Sequence, residues 1–333
     1  MRFGFTEDQL MLRDTVREIL ARECTPEVVR AVWEKKSPKT PYGTLAEAGV
    51  LGMTLTEEQG GLGLDETDAA LPLEEAGYAA LPEPIVEAIA ALPVIAAHGG
   101  GAWAEKIAAG EARLSISIGD ARLVAFAEQA DVFLRYDGKK LYLAPREEVA
   151  LEMQVSVDRT RSIAVPRFTD EGATVLAEGA EAAELAALVF DRAALGSALF
   201  LNGLSRKMLE LAVEYAKDRV QFGRPIGSQQ AVKHRLADAL IALEFAKPLA
   251  YRAAWSVAVA DPERSLHVSL AKLRASEAAR FVAKQSLQVH GAIGYTIEHD
   301  LHLWMKRAWA LAAAYGTEDF HRDRIGRAIL NEA

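Results

Sequence analysis

Residues 219–227, with the sequence RVQFGRPIG, separate two long stretches in which apolar residues recur at helical spacing. Two arginines, a side-chain amide and two glycines lie within this short segment. Guanidinium and amide donors, beside a backbone that can approach a ligand closely, are suited to binding a pyrophosphate. An ordinary connection between two helices could contain the same residues, so this segment alone leaves both interpretations open.

A second glycine-containing segment, QVHGAIGY at residues 288–295, follows another long helical stretch. It offers an amide and an imidazole next to a turn. The ordinary alternative is the end of a helix, with a histidine whose hydrogen bonds are satisfied within the protein.

Both segments lie among long, alanine-rich helical stretches, which predict an up-and-down four-helix bundle with short connections. Apolar periodicity places these helices at Leu195–Asp218, His234–Ala260, Ser265–His290 and Ile297–Tyr315, with a last helix from Glu318.

The first hundred residues also predict helices joined by tight breaks. Thr6 and Gln9 have the spacing of a capping box, in which the two side chains satisfy backbone amides at a helix start. The three glycines within residues 60–63 predict a loop, because glycine readily adopts positive φ.

The stretch from Arg113 to Phe168 predicts a small antiparallel β unit. Its alternating runs include a hairpin that turns at Asp137-Gly138 and further strands at residues 155–157 and from Ile163. The predicted fold is mostly α, with an N-terminal helical domain (1–112), a shortened middle β domain (113–170) and a C-terminal helical bundle (171–333).

Composition limits the possible partners. The chain has 333 residues and a formal net charge of -9, and an acidic protein is poorly suited to binding nucleic acid. The single cysteine, Cys24, excludes an internal disulfide and a thiolate zinc site. No apolar run approaches the roughly 18 residues of a membrane span. We therefore expect a cytoplasmic protein that binds neither nucleic acid nor membrane.

The histidines do not predict a metal site. His299 and His302 lie beside Glu298 and Asp300, but metal sites in helical bundles use Glu-x-x-His on two helices. Here the spacing from Glu298 to His302 is one residue longer, and the sequence contains no second copy. We therefore expect no metal ion.

Taken together, the two glycine-containing segments closely resemble the C-terminal domain of acyl-CoA dehydrogenases. Residues 54–64, TLTEEQGGLGL, are similar to the N-terminal helical domain of that family. The resemblance implies the same order of domains, with FAD bound between subunits. It also implies removal of the α-proton of an acyl-CoA by a glutamate, with transfer of the β-hydride to the flavin.

In this family, the two segments hold the ADP half of the FAD of a neighbouring subunit, and a Gly-Thr pair contacts the same group. The resemblance carries these cofactor-binding roles to Arg219, Gln221, Phe222, Gly223, Gln230, Gln288, His290, Gly291, Ala292 and Thr317. Ala292 replaces the second glycine of the family turn.

The other half of the family's site is not matched. The family contacts the flavin ring through a Thr-Glu-Pro-x-x-Gly-Ser segment and a Trp-Ile-Thr-like strand, and residues 115–122 contain neither. The two positions where the family has its glutamate base are Tyr315 and Ala193 here. Tyrosine, with an ordinary pKa of about 10, is a poor base for this step. Glu318 remains as a displaced candidate, although its place at a helix start would weaken its basicity.

Because it lacks these features, the chain resembles the shorter, degenerate subunit of heteromeric actinobacterial acyl-CoA dehydrogenases of the steroid side-chain type. The resemblance then implies a catalytic acyl-CoA dehydrogenase partner, an acyl-CoA substrate, and electron-transfer flavoprotein as oxidant. Two alternatives remain open: a self-sufficient dehydrogenase with Glu318 as base, and a non-catalytic helical scaffold.

Overall fold

The computed structural model describes residues 4–119, 123–169 and 171–330. The N-terminal part is helical, as predicted. Thr6 begins the first helix with the expected capping box, in which Gln9 N donates to Thr6 Oγ1 at 3.2 Å and Thr6 N donates to Gln9 Oε1 at 2.9 Å. The helices are α1 (Glu7–Glu23), α2 (Pro26–Trp33), α3 (Tyr42–Glu47), α4 (Glu66–Tyr78), α5 (Ile85–Ala97) and α6 (Gly101–Ala108).

The middle part forms two small sheets. One has the strand order β1-β3-β4-β7, with β1 and β3 parallel, and the other has the order β2-β6-β5. The strands are β1 (Leu114–Ser117), β2 (Val124–Ala125), β3 (Val132–Tyr136), β4 (Lys140–Pro145), β5 (Val149–Gln154), β6 (Ile163–Phe168) and β7 (Thr174–Glu178).

The predicted hairpin at Asp137-Gly138 joins β3 to β4. Gly138 has φ +96°, and the Asp137 carboxylate accepts hydrogen bonds at 2.8 Å from the backbone amides of Lys139 and Lys140. These bonds close the turn and fix the register in which Tyr136 lies opposite Leu141.

The predicted strand at residues 155–157 is wrong, because this segment pairs with no neighbouring strand. Val155 is fully exposed, so its apolar side chain packs on no sheet face.

The residues that follow this segment connect the β sheets to the bundle. The Asp158 carboxylate and the Thr160 hydroxyl accept hydrogen bonds from Arg307. Arg307 is completely buried and also donates to the carbonyl of Leu81 at 2.8 Å, so it joins all three parts of the chain.

The C-terminal part is the predicted helical bundle, although its first helix begins well before Leu195 and has 40 residues. A two-stranded ribbon separates the first two helices, and a 3₁₀ turn follows the third. The elements are α7 (Gly179–Asp218), β8 (Val220–Gln221), β9 (Arg224–Pro225), α8 (Gln230–Ala258), α9 (Arg264–His290), α10 (Leu301–Ala313) and α11 (Glu318–Leu330).

Helices α4 and α7 join the N-terminal part to the bundle at very short range. A Cβ atom added to Gly203 would lie 1.9 Å from the carbonyl oxygen of Glu74, and one added to Gly77 would lie 2.0 Å from that of Phe200. One continuous apolar core therefore runs through both parts. Among the residues that the structure describes, no helix is long and apolar enough to cross a membrane.

Candidate functional site

The segment after α7 is a tight hairpin that projects into solvent. Arg219 ends the helix, and β8 and β9 pair through Gln221 and Arg224. Phe222 and Gly223 form the tip with φ values of +53° and +77°, the pattern of a type I′ turn. Phe222 is 95% exposed, so neither packing nor burial within this chain explains an aromatic residue at this tip.

The base of the hairpin is fixed against the ends of two bundle helices. Ile226 packs in a small apolar cluster with Ala216 of α7 and Val289 of α9. Ile226 N donates to the carbonyl of Arg219 at 2.8 Å, and a Cβ atom at Gly227 would lie 2.8 Å from Ala216 O. The fold therefore brings the hairpin and the end of α9, which are far apart in sequence, to one end of the bundle.

The end of α9 carries a histidine that is only partly satisfied. His290 Nδ1 lies 2.7 Å from the carbonyl of Ser286, and its ring stacks on Tyr215 at 4.6 Å. Because a carbonyl only accepts, Nδ1 carries the proton, and burial lowers the pKa of the ring so that it stays neutral. The remaining acceptor, Nε2, is buried without a partner in the described ranges. Gly291 follows with φ +63° and reverses the chain.

The polar side chains at this end of the bundle fit the ADP part of FAD. Arg219 forms no ion pair with any residue that the structure describes, and Gln221, Gln230 and Gln288 are exposed. A guanidinium and three amides are suitable donors for phosphate and sugar oxygens. The unpaired nitrogen of His290 would accept a hydrogen bond from the same ligand. By contrast, Arg224 is held by the Gln229 side chain at 3.0 Å.

Thr317 lies apart from these residues. It follows Gly316, whose carbonyl accepts a hydrogen bond from Lys272 Nζ at 3.3 Å. Gln288 is about four turns further along α9 than Lys272, about 24 Å at 1.5 Å per residue. The structure therefore brings the base of the hairpin and the end of α9 to the same end of the bundle and places Thr317 at a different level.

A cavity of about 720 Å³ lies where Thr317 is found, between the β sheets, the start of α7 and the end of α10. Most of its walls are alanine and other apolar side chains. The polar or ionisable side chains that line it are those of Ser117, Tyr136, Arg161, Tyr315, Thr317 and Arg324. Asp120, Ala121 and Arg122, part of the segment expected to correspond to the family's flavin-ring contacts, lie outside the described residues.

None of the three positions considered for a catalytic base places a carboxylate in this cavity. Tyr315 reaches it, but burial and the neighbouring Glu87 raise the pKa of the phenol well above its ordinary value. Ala193 is buried in the core of α7. The Glu318 carboxylate accepts hydrogen bonds from Arg280 at 2.8 Å and Arg322 at 3.4 Å and does not line the cavity. No Asp or Glu of the described residues lines it.

Two buried residues that sequence reasoning missed hold the turn between α10 and α11. Lys272 Nζ donates to the carbonyls of Ala312 and Gly316, and His321 Nε2 lies 3.0 Å from the carbonyl of Tyr315. Burial lowers the pKa of Lys272 to about 7 and that of His321 to about 4. These contacts hold Tyr315 at φ +51°, an uncommon conformation for a residue other than glycine. Nothing in the local pattern of α9 indicates this role.

His299 and His302 contact aromatic rings. The His299 ring lies 4.4 Å from that of His290, and the His302 ring lies 5.1 Å from that of Trp33. In the described part of the chain, no three His, Cys, Asp or Glu residues come close enough together to hold a metal ion.

Comparison with known proteins identifies the family of this chain. The family model for the acyl-CoA dehydrogenase N-terminal domain matches residues 6–112, and that for the C-terminal domain matches residues 178–330. The acyl-CoA dehydrogenase IpdE2 of Mycolicibacterium smegmatis is 34% identical over 93% of this chain and 95% of its own length. IpdE2 of Mycobacterium tuberculosis is 33% identical over 91% of each chain.

Solved structures have the same fold. The ChsE4-ChsE5 complex of Mycobacterium tuberculosis contains a chain with a TM-score of 0.87 and 25% identity, with 100% of both chains covered. The Tcur3481-Tcur3483 steroid acyl-CoA dehydrogenase contains one with a TM-score of 0.85 and 24% identity, with 98% of both chains covered. Because the two family models match its helical N-terminal part and its C-terminal bundle, this chain belongs to the acyl-CoA dehydrogenase family, whose cofactor is FAD.

Proposed function

We propose that this chain is one subunit of a heteromeric, FAD-dependent acyl-CoA dehydrogenase. It supplies the ADP-binding half of the flavin site to a catalytic partner, and the partner supplies the glutamate base and the contacts to the flavin ring. FAD supplies the two-electron redox chemistry of α,β-desaturation when bound. In this chain, Arg219 and the amides of Gln221 and Gln288 bind and orient the pyrophosphate end.

The observation that carries this proposal is an asymmetry within the chain. At the proposed ADP-binding end, Arg219 is exposed and forms no ion pair with a described residue, and the base of the hairpin packs on α7 and α9 through Ile226. The cavity has no carboxylate among its described lining residues, and the pKa of Tyr315 is raised rather than lowered. An exposed half-site can serve a second chain, and because this chain's cavity has no carboxylate among its described lining residues, that second chain would have to supply the base.

The substrate we propose is an acyl-CoA with a bulky ring system, oxidised with electron-transfer flavoprotein as acceptor. Support comes from the likeness to IpdE2 and to the ChsE4-ChsE5 complex, and from the steroid acyl-CoA dehydrogenase with the same fold. The acyl pocket itself would belong largely to the partner, since the base must lie close to the α-carbon.

The self-sufficient alternative needs a base in this chain's own cavity. Glu318 would have to break its ion pairs with Arg280 and Arg322 and turn inward. The scaffold alternative leaves the free guanidinium of Arg219 and the exposed ring of Phe222 without a purpose. We therefore favour the half-site proposal over the self-sufficient and scaffold alternatives.

The test is the ratio of FAD to protomer, measured by absorbance after denaturation, for the chain alone and co-expressed with a neighbouring acyl-CoA dehydrogenase gene product. We expect little flavin on the lone chain and about one FAD per heterodimer on co-expression. Near-stoichiometric flavin on the lone chain would overturn the proposal and favour Glu318 as base.

A matched pair of variants separates the half-site from the scaffold. Arg219→Ala should lower the flavin content of the assembled complex, whereas Lys284→Ala, an exposed change on α9, should not. If the Arg219→Ala complex assembles, is folded and keeps its full flavin content, the scaffold interpretation is the correct one.

A further inference from the structure

A cluster of hydrogen-bond donors surrounds Trp33, the last residue of α2, where this helix meets α10. The guanidinium of Arg159, from the segment between β5 and β6, lies 4.6 Å from the centre of the indole ring. The ammonium of Lys306 on α10 lies at the same distance of 4.6 Å. The ring of His302, one turn before Lys306, lies 5.1 Å away. Three separate parts of the chain therefore bring two cations, an indole and an imidazole together.

Two donors in this cluster are buried without an acceptor. Trp33 Nε1 has no hydrogen-bond partner among the residues that the structure describes. His302 is 2% exposed, and its Nδ1 lies 3.4 Å from Lys306 Nζ. Because an ammonium only donates, Nδ1 is the acceptor and Nε2 carries the ring proton, and Nε2 is also buried without a described partner. Buried donors are costly unless a ligand supplies an acceptor.

The two cations also lack a counter-charge. Neither Arg159 nor Lys306 forms an ion pair with a residue in the described ranges, and the carboxylate of Asp158, next to Arg159 in sequence, is already bound by Arg307. Burial and the neighbouring Arg159 lower the pKa of Lys306, and Asp158 acts in the opposite direction. The cluster therefore carries positive charge that the protein itself only partly offsets.

Other acceptors near the end of α2 are engaged as well. The Asp300 carboxylate pairs with Arg30. The carbonyls of Arg30, Ala31 and Val32 accept hydrogen bonds at 2.9 Å from backbone amides of the residues that follow the helix. A ligand of this cluster would thus have to bring its own acceptors. Two cations and two N–H groups match an anion with two negative charges and several oxygen atoms.

The ligand must also be small. Trp33 Nε1 and His302 Nε2 have almost no contact with solvent, so a bulky molecule could not reach them. Arg159, by contrast, is exposed and forms no ion pair with a described residue, so its side chain can move aside at little cost. A free inorganic ion could then lie between the guanidinium and the indole.

We propose that this cluster binds a small inorganic dianion, phosphate or sulfate, through Arg159, Lys306, Trp33 Nε1 and His302 Nε2. The site shares no residue with the cavity beside Tyr315 or with the proposed ADP half-site. The inference therefore does not depend on the proposed function.

The test follows the indole N–H signals of the full chain by NMR, with ¹⁵N-labelled tryptophan. The signal of Trp33 is the one that is lost in Trp33→Phe. Inorganic phosphate at slightly alkaline pH, where it is mainly a dianion, should shift this signal in a saturable way, and sodium chloride at equal ionic strength should not. Acetate should bind at least about tenfold more weakly, because it brings one negative charge to two cations. A Trp33 signal that does not move, or that responds equally to phosphate, acetate and chloride, would overturn the proposal.

Four variants locate the ion. Arg159→Gln, at an exposed position where the fold should not suffer, and Lys306→Met should each weaken phosphate binding about tenfold. Lys284→Met, at an exposed lysine on α9, should change nothing. Arg219→Ala removes the cation of the proposed ADP half-site and should also leave the Trp33 response unchanged. A response lost in Arg219→Ala, or one undiminished in Arg159→Gln and Lys306→Met, would show that phosphate binds elsewhere and would overturn the proposal. The proposed function fails by a different result, an unchanged flavin content in the Arg219→Ala complex.

Discussion

The hydroxyl of Tyr315 donates a hydrogen bond of 2.7 Å to Glu87 Oε1, which joins the turn after α10 to helix α5 of the N-terminal part. The two residues are 228 positions apart in sequence, and Glu87 is 2% exposed. Tyr315, one of the two positions where the resemblance led us to expect the base, therefore makes a contact between the bundle and the N-terminal part. Tyr315 keeps its proton because burial and Glu87 both raise its pKa.

Replacing Tyr315 with phenylalanine should destabilise the protein without creating a cavity in the core. The change removes the hydroxyl that donates to Glu87 and leaves Arg161, at 3.8 Å, as the remaining polar partner of Glu87 among the described residues. We expect a loss of about 1–3 kcal/mol, the cost of an unsatisfied buried acceptor. Urea unfolding followed by circular dichroism measures it, and Tyr295→Phe, at a 75% exposed tyrosine, is the control that should show no change. Equal midpoints for the two variants would contradict the structural role of this bond.

The buried amine of Lys272 should make stability depend on pH in the alkaline range. Burial lowers its pKa from 10.5 to about 7, so in this interval the unfolded chain binds more protons than the folded one. The free energy of unfolding should therefore rise between about pH 7 and pH 10. Lys272→Met should lose this rise, and the exposed change Lys284→Met should keep it. Parallel pH profiles for all three proteins would show that Lys272 is not the group responsible.

The buried carboxyl group of Glu74 should have the opposite effect at lower pH, where it should make the free energy of unfolding fall as the pH rises. Burial raises its pKa from 4.5 to about 7, although Asn202 and Tyr251 donate hydrogen bonds to it at 3.2 Å and 3.0 Å. The folded chain therefore holds a proton that the unfolded chain releases, and stability should fall as the pH rises from about 4.5 to 7.

The isosteric change Glu74→Gln should remove this dependence and leave the protein more stable at pH 7 than the native chain. Glu298→Gln, at an exposed carboxylate, is the control. Thermal unfolding at several pH values checks both. A native profile that is flat over this interval, or one that the glutamine variant reproduces, would exclude Glu74 as the titrating group.

The fold could largely be predicted from sequence, because helical periodicity and turn residues act locally. The hairpin at Asp137-Gly138 and the helix end at His290 both follow from such short-range patterns. The errors arose where local pattern is weak. The first turns of α7, from Gly179, are rich in alanine and glutamate and carry little apolar periodicity. Residues 155–157 alternate like a strand but have no partner strand.

The residues expected to bind ADP lie in two segments with recognisable composition, and their role in cofactor binding stays a prediction. The Glu87–Arg161–Tyr315 cluster could not be predicted, because its members come from three separate parts of the chain and no spacing relates them. Only the packing of the α5, β-sheet and α10 regions brings them together. The same holds for Lys272, whose partners are backbone carbonyls that any residue could provide.

The contact between α4 and α7 gives a sharp test of the packing itself. A methyl group at Gly203 would lie 1.9 Å from the carbonyl of Glu74, and backbone cannot move aside cheaply. Gly203→Ala should therefore cost about 3 kcal/mol, the upper end of the overpacking range, even though alanine is the better helix former. The control is Gly326→Ala in α11, where an added Cβ meets no atom within 4 Å. That change should stabilise the chain by about 0.5–1 kcal/mol. Urea unfolding of the two variants should thus give shifts of opposite sign, and a stabilised Gly203→Ala chain would contradict the close approach of α4 and α7.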